Sequence, residues 1–162
     1  MKLFGSQYLI LAVLFGCMPS AYGADLSVLG AWKLLSFTRQ DVVSGETTRP
    51  WGEKPLGYLM YLPDGQMSAV LTSGERKSVQ PTDEKQVAQL FFNMSAYAGT
   101  YTVEGDTVVH HVEVAWLPNW VGSDQPRHAK LEGDTLTIRT QPIRNRLNDK
   151  DYIYVLVWMR AQ

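Results

Sequence analysis

Cysteine is almost missing from these 162 residues, and the one thiol, Cys17, stands in the N-terminal segment. Downstream of it no disulfide framework, thiolate nucleophile or Cys-ligated metal site can be built, so stability must come from packing. The apolar run at residues 8–18 is shorter than the roughly 20 residues that a membrane-spanning helix needs. Charge of one sign is also missing, since 15 Lys and Arg face 16 Asp and Glu. The basic residues form no stripe; the nearest to a cluster is Arg144, Arg146 and Lys150 in an expected loop, so nucleic acid is not an expected partner. There is no Ser-His-Asp order and no Gly-rich phosphate loop.

What is present begins with Lys2, the apolar run and then Pro19-Ser20-Ala21-Tyr22-Gly23, the pattern of a secretory signal peptide. Small residues at Ala21 and Gly23 suit cleavage before Ala24. That divides the chain into a signal at 1–23 and a single domain at 24–162, of 162 − 23 = 139 residues, and takes the formal charge from −1 to −2 by loss of Lys2. The expected location is periplasmic or secreted. Leu14-Phe15-Gly16-Cys17 also resembles a bacterial lipobox, which would make the protein a membrane-anchored lipoprotein at Cys17; the bulky Phe15, where a small residue is usual, argues against this.

The domain reads as short strands. Residues 29–37 form the first, and 57–62 and 66–72 form a hairpin around Pro63-Asp64-Gly65. Residues 40–55 are polar, punctuated by Gly and Pro, and are expected as a long loop. After Pro81 the period lengthens to that of a helix. Thr82 is the expected cap, Val87, Leu90, Phe91 and Met94 form one apolar face, and Gly99 is the expected end about four turns later. Four strands follow at 100–103, 107–114, 125–132 and 135–140, the outer pairs joined by the matching turns Glu104-Gly105-Asp106 and Glu132-Gly133-Asp134. Residues 141–151 are expected as a loop. The last strand, 152–160, is apolar on both faces, which calls for a cover on each side, with the helix as the expected second cover.

Eight strands joined by hairpins, with one helix, predict an all-β fold: an eight-stranded antiparallel up-and-down barrel with an amphipathic helix packed on it. Closure removes the exposed edges of strands so rich in Val, Ile and Tyr.

Gly30-Ala31-Trp32, with Arg160 at the end of the last strand, resembles the Gly-x-Trp and covering Arg of lipocalins. His110-His111-Val112-Glu113, Pro118-Asn119-Trp120-Val121-Gly122, Asp124-Gln125 and Arg127 are more specific, and are similar to the bacterial and fungal lipocalin-like domain family. So are Gly57-Tyr58-Leu59 with Tyr61, Pro63-Asp64-Gly65 and Gly99-Thr100-Tyr101. The resemblance runs over nearly all of residues 29–160. It implies a calycin-type barrel and assigns no activity, since fold alone does not determine function.

His110 and His111 are adjacent on a strand, so they point to opposite faces and cannot chelate one ion. His110 shares its face with Val108, Val112 and Val114, which suggests the interior. A metal at His111, Glu113 and His128 would need a favourable register, and no metal or cofactor is expected. The candidate ligand-binding set is His110, His111, Trp116, Trp120, Arg127, Tyr58 and Tyr154. In it aromatics supply apolar contact and Arg127 is a fork for a planar anion, unless Arg127 pairs instead with Glu113 or Asp124. The leading expectation is a secreted or periplasmic barrel that binds a small, partly apolar or amphipathic molecule in its lumen. Two alternatives stay open. One is a cofactor-independent isomerase, cyclase or lyase with His110 as proton carrier. The other is a filled barrel whose Trp116 and Trp120 dock on an envelope protein.

Overall fold

The computed structural model describes residues 27–145 and 148–161; the expected signal peptide, Cys17 and Arg146 lie outside the described residues. In chain order the elements are β1 (Gly30–Asp41), β2 (Thr47–Thr48), β3 (Leu56–Tyr61), β4 (Gln66–Thr72), α1 (Glu84–Phe92), β5 (Met94–Glu104) and β6 (Thr107–Ala115). A 3-10 turn (Pro118–Trp120), β7 (Asp124–Glu132), β8 (Thr135–Thr140), β9 (Ile143–Asn145) and β10 (Lys150–Arg160) follow. Eight antiparallel strands bond in the order β1-β3-β4-β5-β6-β7-β8-β10. β1 then closes on β10, from Trp32↔Arg160 to Asp41↔Tyr152. The result is the closed eight-stranded barrel that the hairpin pattern predicts; β2 and β9 are short additions to β1 and β10.

The two ends of the barrel are built differently. At one end are the tight turns, where Gly105 and Gly133 take φ of 62° and 59° as first residues of two-residue hairpin loops. Each turn is tied to the next hairpin: Tyr101 N–H donates to Gly65 O at 2.9 Å, Ala129 N–H to Asp106 O at 2.7 Å and Arg160 N–H to Asp134 O at 2.8 Å. Trp32 is fully buried at this end and donates to Val28 O at 2.8 Å, while the Arg160 guanidinium lies 4.2 Å from its ring centroid. At the other end are the four longer connections: 42–55, 73–93, 116–123 and 141–149.

Inward positions alternate as a half-buried strand requires, with Leu59 and Tyr61 on β3, Met67, Ala69 and Leu71 on β4, and Val108, His110 and Val112 on β6 all buried. Two bulges shift that alternation. In β1 the register slips between Leu34 and Ser36, so Trp32 and Leu34 face inward before it and Phe37 and Asp41 after it. Between β5 and β6 it slips at Ala98/Gly99. A Cβ on Gly99 would stand 2.0 Å from His111 O and 2.9 Å from Glu113 N. Glycine is therefore required there by close backbone approach.

Several expectations are corrected. The helix has nine residues and is capped by Asp83 rather than Thr82, the Asp83 carboxylate accepting from Gln86 N–H at 3.0 Å. It ends at Asn93, well before Gly99, because residues from Met94 onward pair with β4 and then β6. Two ladders of backbone hydrogen bonds outweigh the helix preference of Ala96 and Ala98. No residue of α1 is buried. It sits on β5 at the rim, where Trp116 Nε1 donates to Phe91 O at 3.3 Å, and so is not the expected second cover of β10. The expected loop at 141–151 contains the β9–β10 hairpin, clamped by Arg144 on Asp149 and Asp151. The expected loop at 40–55 contains β2, and Lys150 crosses to Asp41 at 2.8 Å to hold its start.

Gly99→Ala is expected to destabilise the protein by about 2–4 kcal/mol, because the obstruction is backbone that cannot rotate away. Urea unfolding should show a lower midpoint for this variant with an unchanged slope.

Candidate functional site

The end with the long connections opens into a cavity of about 320 Å³ inside the barrel. Its wall is mostly aromatic and aliphatic. Phe37 and Trp51 lie with ring centroids 4.3 Å apart, and Phe37 stacks on Tyr154 at 5.6 Å. A second aromatic group joins Trp116 to Trp120 edge-on at 4.8 Å and Trp120 to Tyr97 at 5.4 Å. Two arginines, Arg39 and Arg127, also line the cavity, and among the described residues no carboxylate does.

His110 is buried in the wall, with its Nε2 2.7 Å from Tyr61 Oη and its Nδ1 3.0 Å from Tyr97 Oη. Burial first, then the Arg127 and His111 charges, hold its pKa down at about 3, so the ring is neutral at physiological pH. A neutral imidazole has one donor and one acceptor nitrogen, so one tyrosine donates to the ring and the other accepts from it. Burial raises both tyrosine pKa values, and the Arg127 charge opposes that rise. The result is an uncharged hydrogen-bonded chain from Tyr61 through His110 to Tyr97 that engages both ring nitrogens. As a general base His110 is poorly suited, since both nitrogens are engaged and its pKa lies far below neutrality.

Of the sequence-predicted set, His110, Trp116, Trp120, Arg127 and Tyr154 surround the cavity. His111 and Tyr58 do not. Each is one residue out of phase with a buried neighbour, so strand alternation places it on the outer surface. There His111 Nδ1 lies 2.7 Å from Asp124 Oδ1 and its Nε2 lies 3.0 Å from Thr102 Oγ1. His128 pairs across the sheet with Thr107, four residues along β6 from His111, a strand distance of about 13 Å. The two imidazoles therefore cannot share an ion. Arg127 meets neither Glu113 nor Asp124. Its Nη1 donates to Pro126 O at 3.0 Å and its Nη2 to Gln125 Oε1. The filled-barrel alternative loses its premise, since the lumen is open and the two indoles line it.

The residues that sequence reasoning missed are Phe37, Arg39, Trp51, Phe92 and Tyr97. Tyr97 fell inside the overlong helix, and Arg39 lay beyond the assumed end of the first strand. Continuing the alternation of β1 past a bulge would have found Arg39.

The lipocalin-like domain family matches residues 29–161, and the chain belongs to it. Among curated proteins it is similar to the 4'-hydroxy-3'-methoxypropiophenone carrier protein ppsC of Aspergillus oryzae (strain ATCC 42149 / RIB 40), with 37% identity over 67 residues. That similarity covers 36% of this chain and 60% of the fungal protein, less than two thirds of its length.

The buried neutral histidine makes a pH prediction. Its folded pKa, about 3, lies below the ordinary histidine value of 6.5, so the unfolded chain binds the extra proton as pH falls below 6.5. Stability present above pH 6.5 is then lost toward pH 3, at up to about 1.4 kcal/mol per pH unit. Unfolding free energies measured from pH 7 to 4.5 should show that slope in the wild type and a flatter one in His110→Gln.

Proposed function

We propose that this protein is a carrier that holds a small, mostly apolar aromatic molecule in the barrel lumen. The observation that supports this most is the cavity itself: about 320 Å³, walled by Phe, Trp and Tyr side chains, with a few polar groups. Such a lining is typical of small-molecule sites. At the packing density of protein interiors the space suits about 12 to 15 non-hydrogen atoms. A substituted propiophenone, the cargo in the name of the fungal relative, is of that size. Membership of the lipocalin-like family is consistent with the reading. Trp116 and Trp120 would supply apolar contact at the rim, and His110, Tyr97 and Arg127 would orient a polar substituent. The proposal includes export: the Lys2-initiated apolar segment would be removed before Ala24, and the carrier would work in the periplasm or outside the cell.

Two measurements test this. Calorimetric titration with 4'-hydroxy-3'-methoxypropiophenone or a related aryl ketone should show one saturable site. Ala69→Phe, which places a ring at the cavity wall from a residue that is 1% exposed, should weaken binding by about tenfold or more in a protein that still unfolds cooperatively. Failure of all such ketones to bind, or binding that survives Ala69→Phe, counts against a lumenal carrier. For export, the intact mass of protein recovered from the producing cells should match a chain starting at Ala24. A full-length chain, or a lipid-modified one starting at Cys17, refutes that cleavage.

A further inference from the structure

The charge lining this cavity is all of one sign. Arg39 and Arg127 both line the cavity, no Asp or Glu among the described residues does, and His110 contributes no charge. Among the described residues neither arginine takes part in an ion pair. Arg127 is held by neutral groups, Pro126 O, Gln125 Oε1 and the Tyr97 hydroxyl. The Arg39 guanidinium lies 4.5 Å from the Tyr152 ring centroid, and its Nε is buried with no acceptor. Asp41, the acid two residues further along β1, is occupied by Lys150 Nζ at 2.8 Å and by the backbone N–H groups of Val43 and Ser44, each at 2.9 Å. A second buried donor, Trp158 Nε1, also has no acceptor, and Trp158 lines the same cavity.

Buried donors left without acceptors are costly, and cations enclosed without a counter-charge more so. The cavity thus has a surplus of positive charge and donors and a deficit of acceptors, in a space walled by aromatic rings. We infer that the cargo is an aromatic molecule bearing a planar anion, a carboxylate or a group of the same shape, which engages Arg39 within the combined field of Arg39 and Arg127. The aromatic body fills the space between the Phe37–Trp51–Tyr154 and Trp116–Trp120–Tyr97 groups. The anion supplies the acceptors that the empty wall lacks, and a guanidinium offers it two parallel N–H bonds. This rests on the lumenal-carrier reading and specifies its ligand class.

The test uses 2-naphthoate and its neutral isostere 2-acetonaphthone, titrated calorimetrically into wild type, Arg39→Gln, Arg39→Lys, Arg127→Gln and Ala69→Phe. Wild type is expected to bind naphthoate about tenfold or more tighter than the ketone. Arg39→Gln should reduce that preference to about twofold, weakening naphthoate far more than the ketone, and Arg39→Lys should keep part of it. The ligand-free Arg39→Gln protein should melt no lower than wild type, since an unpaired cation has been removed; a merely structural arginine would lower the melting temperature. Should that variant not fold, the wild-type preference and Arg127→Gln still decide. Equal affinity for the two probes in wild type, with both lost in Ala69→Phe, overturns the anion inference and leaves the carrier reading standing. No binding of either probe, or binding indifferent to Ala69→Phe, overturns both.

Discussion

Closure of β1 on β10 is the constraint on which the rest of this structure depends. Once the sheet is a cylinder, every second residue of eight strands points into a shared interior, and each must be packed, hydrogen-bonded or left to line a void. At the turn end the interior is packed: Trp32 is fully buried and Arg160 lies over its indole, a contact worth on the order of 1 kcal/mol. Near it lie Val28, Tyr61, Val108 and Leu136, each at most 1% exposed. At the opposite end the long connections supply no such plug. The same alternation that builds a core at one end lines a chamber at the other.

The polar groups of the interior fall into two kinds. Tyr61, His110 and Tyr97 are hydrogen-bonded in series, and burial keeps the imidazole neutral, so this set adds specificity of packing without charge. Arg39 and Arg127 are the charged groups of the cavity wall. Their positions in the wall of an otherwise apolar chamber therefore bear on ligand chemistry in a way that the histidine, despite its prominence in the sequence, does not.

Much of the architecture was legible from residue order, and the failures share a cause. Turn chemistry at Pro63-Asp64-Gly65 and the two Glu-Gly-Asp turns located three hairpins, and alternation around His110 placed that residue inside. Gly99 was misread because a glycine after an amphipathic run looks like a helix terminus; here it accommodates a backbone that would lie 2.0 Å from any Cβ. Arg39 escaped notice because the slip between Leu34 and Ser36 reverses the parity of β1. Bulges are set by pairing with a distant strand, and local period carries no record of them. The β9–β10 hairpin was hidden similarly, since its clamp of Arg144 on Asp149 and Asp151 depends on the fold of a polar segment with no hydrophobic period. His111 and Tyr58 entered the candidate set on residue type alone, which does not distinguish the two faces of a strand.

The pairing of Trp32 with Arg160 brings together the start of the first strand and the end of the last, and Ala161 N–H bonds back to Ala31 O at 2.8 Å. Both ends of the barrel domain thus leave from its packed pole, opposite the mouth. Any fusion partner, affinity tag or surface linkage joined at either end holds the molecule by its base, with the chamber directed away from the attachment. The barrel domain can be immobilised through an attachment next to Leu29 or Ala161 for ligand capture without obstructing the entrance.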